Sequence, residues 1–176
     1  MGRGATNKRK GSNAERHYVK LFRELGYDFC ETARFASKKH DNAKIDLVGI
    51  PFNIQVKAGI QKGLNAGKEL FSMETCIKTM FPEDDQVNDY PCLLFHYKQG
   101  ITGKKRVSED EMVYMSLVQF DIFNNKTKNK NLKYLSLKEF KGSLSSEFKI
   151  VVSMTLKYFL KHIMITELDK STKKES

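Results

Sequence analysis

The stretch AKIDLVGIPFNIQVKAG, residues 43–59, decides how this chain is read. Two short apolar runs, residues 45–50 and 53–58, flank a turn at Pro51-Phe52-Asn53, which is the pattern of a β-hairpin. Strands of this kind are at least half buried, and a polar side chain inside them costs stability unless it is paired or useful. This hairpin carries three: Asp46, Gln55 and Lys57. Alternate residues of a strand share a face. Gln55 and Lys57 therefore point one way and Ile54 and Val56 the other. A register that brings the strand ends together sets Asp46 beside them.

Outward from the hairpin, residues 1–11 are rich in Gly, Lys and Arg and read as a flexible basic arm. A helix is expected from Ser12, with Ala14, Tyr18, Leu21, Phe22 and Leu25 at spacings of three and four and Gly26 as its stop. Residues 27–35 read as a first strand and residues 36–43, ASKKHDNA, as a polar loop. A second helix within residues 64–81 rests on Leu70, Met73, Ile77 and Met80. Residues 82–91 read as a loop, CLLFHY at 92–97 as a central strand, residues 98–111 as a charged connection, and residues 112–118 as another strand. Residues 124–133 are a basic polar loop, and residues 144–168 read as a helix with a broad apolar face. The fold expected is α/β or α+β: one domain over residues 12–168, its core at 12–118, built on a central mixed sheet flanked by helices, with a flexible tail at 169–176.

The totals agree with one domain. A chain of 176 residues with 40% apolar content can bury one sizeable core. The net charge of +10 favours a polyanionic partner, nucleic acid first, against the plainer reading of a lysine-rich solvated surface. Cys30, Cys76 and Cys92 form no CxxC pair and no disulfide framework, which points to a reducing, cytoplasmic setting. The four histidines, His17, His40, His96 and His162, are too scattered for a zinc finger. No run is apolar enough to span a bilayer.

An acid, an amide and an amine on one side of a sheet suit metal-assisted hydrolysis of a phosphodiester. A hard divalent cation such as Mg²⁺ or Mn²⁺ takes oxygen ligands, and Asp46 offers a charged one. Gln55 offers its amide oxygen and Val56 its carbonyl. Lys57 is suited to orient or activate water, or to stabilise the transition state. Glu15, at the edge of the helix's buried face, is a fourth candidate. It also fits a capping box, Ser12-Asn-Ala-Glu15, in which it would serve only the helix start.

Together, KRKGSNAE ending at Glu15, IDLVG around Asp46 and QVK from Gln55 to Lys57 resemble the PD-(D/E)xK nuclease superfamily. Within it they are most similar to the archaeal-type Holliday junction resolvases. The resemblance spans about residues 12–118. It implies Glu15, Asp46 and Gln55 around the metal, a catalytic Lys57, and a role for Ser37 in the RFASKKHDN loop. Two positions depart from the pattern: Ile45 stands where proline is usual, and Gln55 replaces the usual glutamate. The second removes a charge, although some restriction-type members also carry QxK.

Lys8, Arg9 and Lys10 precede the helix that bears Glu15 and are candidates for phosphate contact, with a solvated tail as the alternative. Arg34, Lys38 and Lys39 are candidates to hold the strand being cut. His40-Asp41 reads as an exposed loop pair. Lys104, Lys105 and Arg106 read as a solvated turn. The expected protein is a metal-dependent endonuclease that cuts four-way DNA junctions symmetrically, hence a twofold dimer. A restriction-like or nicking endonuclease on duplex DNA is one alternative. A non-catalytic DNA-binding protein on a nuclease scaffold is the other.

Overall fold

A computed structural model describes residues 3–59, 64–97, 111–126, 132–139 and 150–164. Helix α1 (Arg3–Glu24) buries Ala14, Tyr18 and Phe22, which recur every four residues on one stripe. It begins at Arg3, not at Ser12, so the segment read as a basic arm is helical from residue 3 onward. The C-terminal stop is as expected. Gly26 adopts φ +94°, the Gly26 N–H donates to the Arg23 carbonyl at 3.0 Å, and the Tyr27 N–H to the Phe22 carbonyl at 3.0 Å. That is a Schellman closure, sealed by the Tyr27 ring against Phe22.

The expected first strand shrinks to β1 (Glu31–Thr32), followed at once by α2 (Ala33–Ala36). The polar loop is a single helical turn, α3 (Lys38–Asn42), capped by Ser37. The hairpin forms, with its first strand shortened from the expected 45–50 to β2 (Leu47–Val48) and its second, β3 (Asn53–Ala58), as expected, antiparallel with Leu47 opposite Ile54. Helix α4 (Ala66–Met80) then crosses over, the short α5 (Asp85–Asp89) occupies part of the expected loop, and β4 (Cys92–Tyr97) pairs parallel with β3 along all six residues.

The second half departs further. β5 (Met112–Ser116) is followed by α6 (Leu117–Lys126), whose start is capped by Ser116 Oγ accepting from the Gln119 N–H at 3.1 Å. β6 (Ser136–Glu139) lies at the sheet edge beside β7 (Ile150–Thr155), and α7 (Leu156–Phe159) runs into a π-helical turn at Leu160–Met164. Residues 150–155 were expected inside a helix and are a strand. Residues 1–2, 60–63, 98–110, 127–131, 140–149 and 165–176 lie outside the described set, including the loop of Lys104, Lys105 and Arg106, half of the NNKTKNKNLK loop and the C-terminal tail.

The sheet is mixed, in the order β1-β2-β3-β4-β5-β7-β6, with β3–β4 its parallel pair. The α+β class is as expected. Two cores cover its faces. On the α1 side Tyr18, Phe22, Ile54, Leu93, Phe95 and Met115 pack together, with Val56 against them. On the α4 side Ile45, Leu70, Met73, Ile77 and Leu94 do the same. Because neighbours in a strand alternate, this partition turns Asn53, Gln55 and Lys57 toward α4. Among the described residues, no helix is long and apolar enough to cross a membrane.

Candidate active site

Asp46 is fixed on three sides. Its N–H donates to the Ile54 carbonyl at 2.8 Å, and its carbonyl accepts from the Ala33 N–H at 2.9 Å. Its carboxylate Oδ2 accepts from the Val56 N–H at 2.6 Å. The β2–β3 ladder thus gives way to a side-chain contact just where the strand turns polar. The register sets Asp46 beside Gln55 across the hairpin.

Three polar residues of β3 face α4, and they differ in how they are satisfied. Asn53 is buried and saturated: its amide donates to the carbonyls of Val87 at 2.8 Å and Tyr90 at 3.0 Å. Gln55 is also buried, yet its Oε1 accepts no hydrogen bond among the described residues. Buried acceptors left without a donor are rare and costly, so this oxygen is either a structural loss or a group awaiting a cation or donor. Lys57 pairs with Glu69 in the first turn of α4 at 2.9 Å.

Glu15 is buried on α1, and its Oε1 receives Arg34 at 3.2 Å. Arg34 also donates to Ser12 Oγ at 3.0 Å. Ser12 lies inside the helix, so the capping-box reading of Ser12 and Glu15 does not hold; the pair shares an arginine instead. Burial raises the Glu15 carboxyl above its ordinary range; Arg34 and Arg16 oppose the rise, and Asp41 adds to it. Burial pushes Asp46 up to about 7, against the pull of the Val56 N–H, with repulsion from Glu15 and Asp41 adding and attraction to Lys57 subtracting. The two acids therefore lie within each other's field.

Ser37, expected near the chemistry, is occupied locally. Its Oγ caps α3 by accepting from the His40 N–H and lies 2.7 Å from His40 Nδ1. Arg34 is exposed and pairs with Glu15. Lys38 is exposed, Lys39 lies over the Phe81 ring at 4.2 Å, and Lys8, Arg9 and Lys10 are exposed on α1. Two participants escaped the sequence. Glu69 reaches Lys57 only because α4 packs beside β3. Asp41, read as part of an exposed loop pair, carries its charge into the field of both acids.

Among the described residues no three His, Cys, Asp or Glu side chains converge as a metal-binding group. What the fold does bring together is Asp46 and Gln55 across the hairpin, with Glu15 acting on Asp46 through its charge. No family model, curated protein or solved structure matches the chain.

Proposed function

We propose that this protein is a metal-dependent DNA endonuclease, with four-way junctions as its preferred substrate and two copies acting on one junction. The observation that carries the reading is the buried Gln55 Oε1 without a donor, beside an Asp46 carboxylate that burial and Glu15 disfavour as an anion. An unpartnered amide oxygen beside a buried carboxylate fits a hard cation, for which oxygen ligands are the right chemistry. Asp46, Gln55 and Glu15 would hold it. The Val56 carbonyl stands next to them in sequence, and its N–H already orients Asp46. A divalent cation there supplies Lewis-acid polarisation of the phosphoryl group and a counter-charge to the transition state.

The chain's own groups supply the rest. Val56 holds the Asp46 carboxylate in one orientation, so it need not reorganise during the reaction. Lys57 carries a positive charge to the same side of β3, and Glu69 restrains where it points. The net charge of +10 and the exposed Lys8, Arg9 and Lys10 favour a phosphate backbone on the α1 side.

The test is cleavage of a synthetic four-way junction beside a linear duplex of the same sequence, in Mg²⁺, Mn²⁺ or EDTA. Paired nicks near the branch that need metal support the reading, whereas equal cutting of both DNAs favours a duplex endonuclease. Gln55→Glu restores the charge that the amide lacks. It is expected to lower the Mg²⁺ concentration for half-maximal cutting by about tenfold, since changes around a metal site shift affinity on the order of 10–100-fold. It should also lower Tm in EDTA, because a third acid joins Asp46 and Glu15. An unchanged Mg²⁺ requirement would remove Gln55 from the ligand set.

The ion pairs Lys57–Glu69 and Arg34–Glu15 favour a second reading, a DNA-binding scaffold whose charges are neutralised internally. That reading expects no cutting by the wild type in either metal.

A further inference from the structure

Arg16, Lys20 and Arg23 recur at spacings of four and three, so they share one stripe of α1. They line a groove of about 660 Å³ that β1 and α2 close from the other side with Glu31 and Phe35. The Arg23 Nε is held by the Cys30 carbonyl at 2.8 Å. Glu24 is engaged by Lys20 across one helical turn. Three cations and two carboxylates therefore line this groove.

Phe35 is 80% exposed. A phenylalanine ring left outside both cores, among arginines and lysines, suits a partner with an aromatic face and an anionic backbone. Bases stack on such rings with little regard to sequence, while the cations follow the phosphates. The groove also has a direction. Arg16 follows Glu15 in sequence and pulls on its carboxylate, and Arg34 pairs with that same carboxylate. The lining thus adjoins Glu15 from both walls, through Arg16 on α1 and through Phe35, next to Arg34, on α2.

From this we infer that the groove seats a DNA strand leading to Glu15 and Asp46, with an unpaired nucleobase stacked on Phe35. The preferred substrate then carries unstacked nucleotides beside the cut, as a gap or a branch does and continuous duplex does not. The direction of the strand rests on the nuclease reading above; occupancy of the groove does not.

The experiment is equilibrium binding in EDTA. The probes are a gapped duplex carrying 2-aminopurine at the gap and a continuous duplex of the same sequence. Phe35→Ala should weaken binding of the gapped DNA by about tenfold, within the range for loss of one stacked base. It should leave the continuous duplex within about twofold and abolish the change in 2-aminopurine fluorescence, and Phe35→Trp should restore both. Lys20→Ala should weaken both DNAs alike and lower the salt dependence by about one phosphate contact. Equal weakening of both DNAs by Phe35→Ala, no weakening of either, or no DNA binding by the wild type would overturn the proposal. Because no metal is present, a protein that binds this way but never cuts retires the nuclease reading alone. A protein whose Asp46-dependent cutting survives while Phe35→Ala binds normally retires the groove alone.

Discussion

Asp46→Asn is expected to abolish metal-dependent cleavage and, at pH 8, to raise Tm. The amide keeps an oxygen to accept the Val56 N–H but loses the charge. Removing one preorganised electrostatic group typically costs on the order of 10²–10³ in rate. The stability gain follows from burial, which pushes the native Asp46 carboxyl up to about 7 from an ordinary 3.8. The native state then binds the proton more tightly than the unfolded state does. Stabilisation by the protonated acid is complete below about pH 4, is lost progressively as pH rises to 7, and stays lost above. Asparagine never pays that cost. The gap between variant and wild type should be small at pH 4 and on the order of 2–4 kcal/mol at pH 8, at 1.36 kcal/mol per pKa unit. At roughly 2–4 °C per kcal/mol for a chain of this size, calorimetry across pH reads it directly. Mg²⁺ or Mn²⁺ should stabilise the wild type and not the variant. An Asp46→Asn protein that still cuts, or whose Tm parallels the wild type at every pH, would take Asp46 out of the site.

Gly49→Ala should be the most damaging single methyl in the hairpin. Gly49 sits at φ +78°, and a Cβ there would lie 2.2 Å from the Phe29 carbonyl oxygen, a rigid backbone atom. Left-handed backbone costs an alanine roughly 1–2 kcal/mol, and overpacking adds typically 1–3. A loss of about 3 kcal/mol is expected in urea unfolding. Gly26→Ala is the internal control. Its φ is +94°, but nothing lies within 4 Å of the added Cβ. It should lose only about 1 kcal/mol, the backbone part. Equal losses at the two positions would mean that the contact with Phe29 is soft.

The elements legible in the sequence are those whose burial follows one period. α4 buries Leu70, Met73 and Ile77 on one stripe, and β4 is apolar on both faces because it lies inside the sheet. The C-terminal strand was misread because IVVSMTLKYFL offers apolar residues at helical and strand spacings alike. The β-branched Ile150, Val151 and Val152 carry the strand signal. The start of α1 was hidden because Lys8, Arg9 and Lys10 are exposed, so no apolar periodicity marks that turn. At the site, Asp46, Gln55 and Lys57 could be found because one hairpin holds all three. The partners of Lys57 and Glu15 come from α4 and α2. Only the packing of those helices brings Glu69 and Arg34 into reach.

The parallel pairing of β3 with β4 also bears on how the chain folds. These strands meet only after α4 has been laid across, so a long loop must close before any ladder bond rewards it, and such topologies fold slowly. Asp46 and Lys57 share one local hairpin, but Glu15 on α1 and Glu69 on α4 reach it only through helix packing. In pulse-labelled hydrogen exchange, the amides of β3 and β4 should gain protection together and later than those of α1. A chain still emerging or partly folded would therefore hold the hairpin's Asp46, Gln55 and Lys57 without Glu15 and Glu69, and the completed constellation belongs to the native state alone.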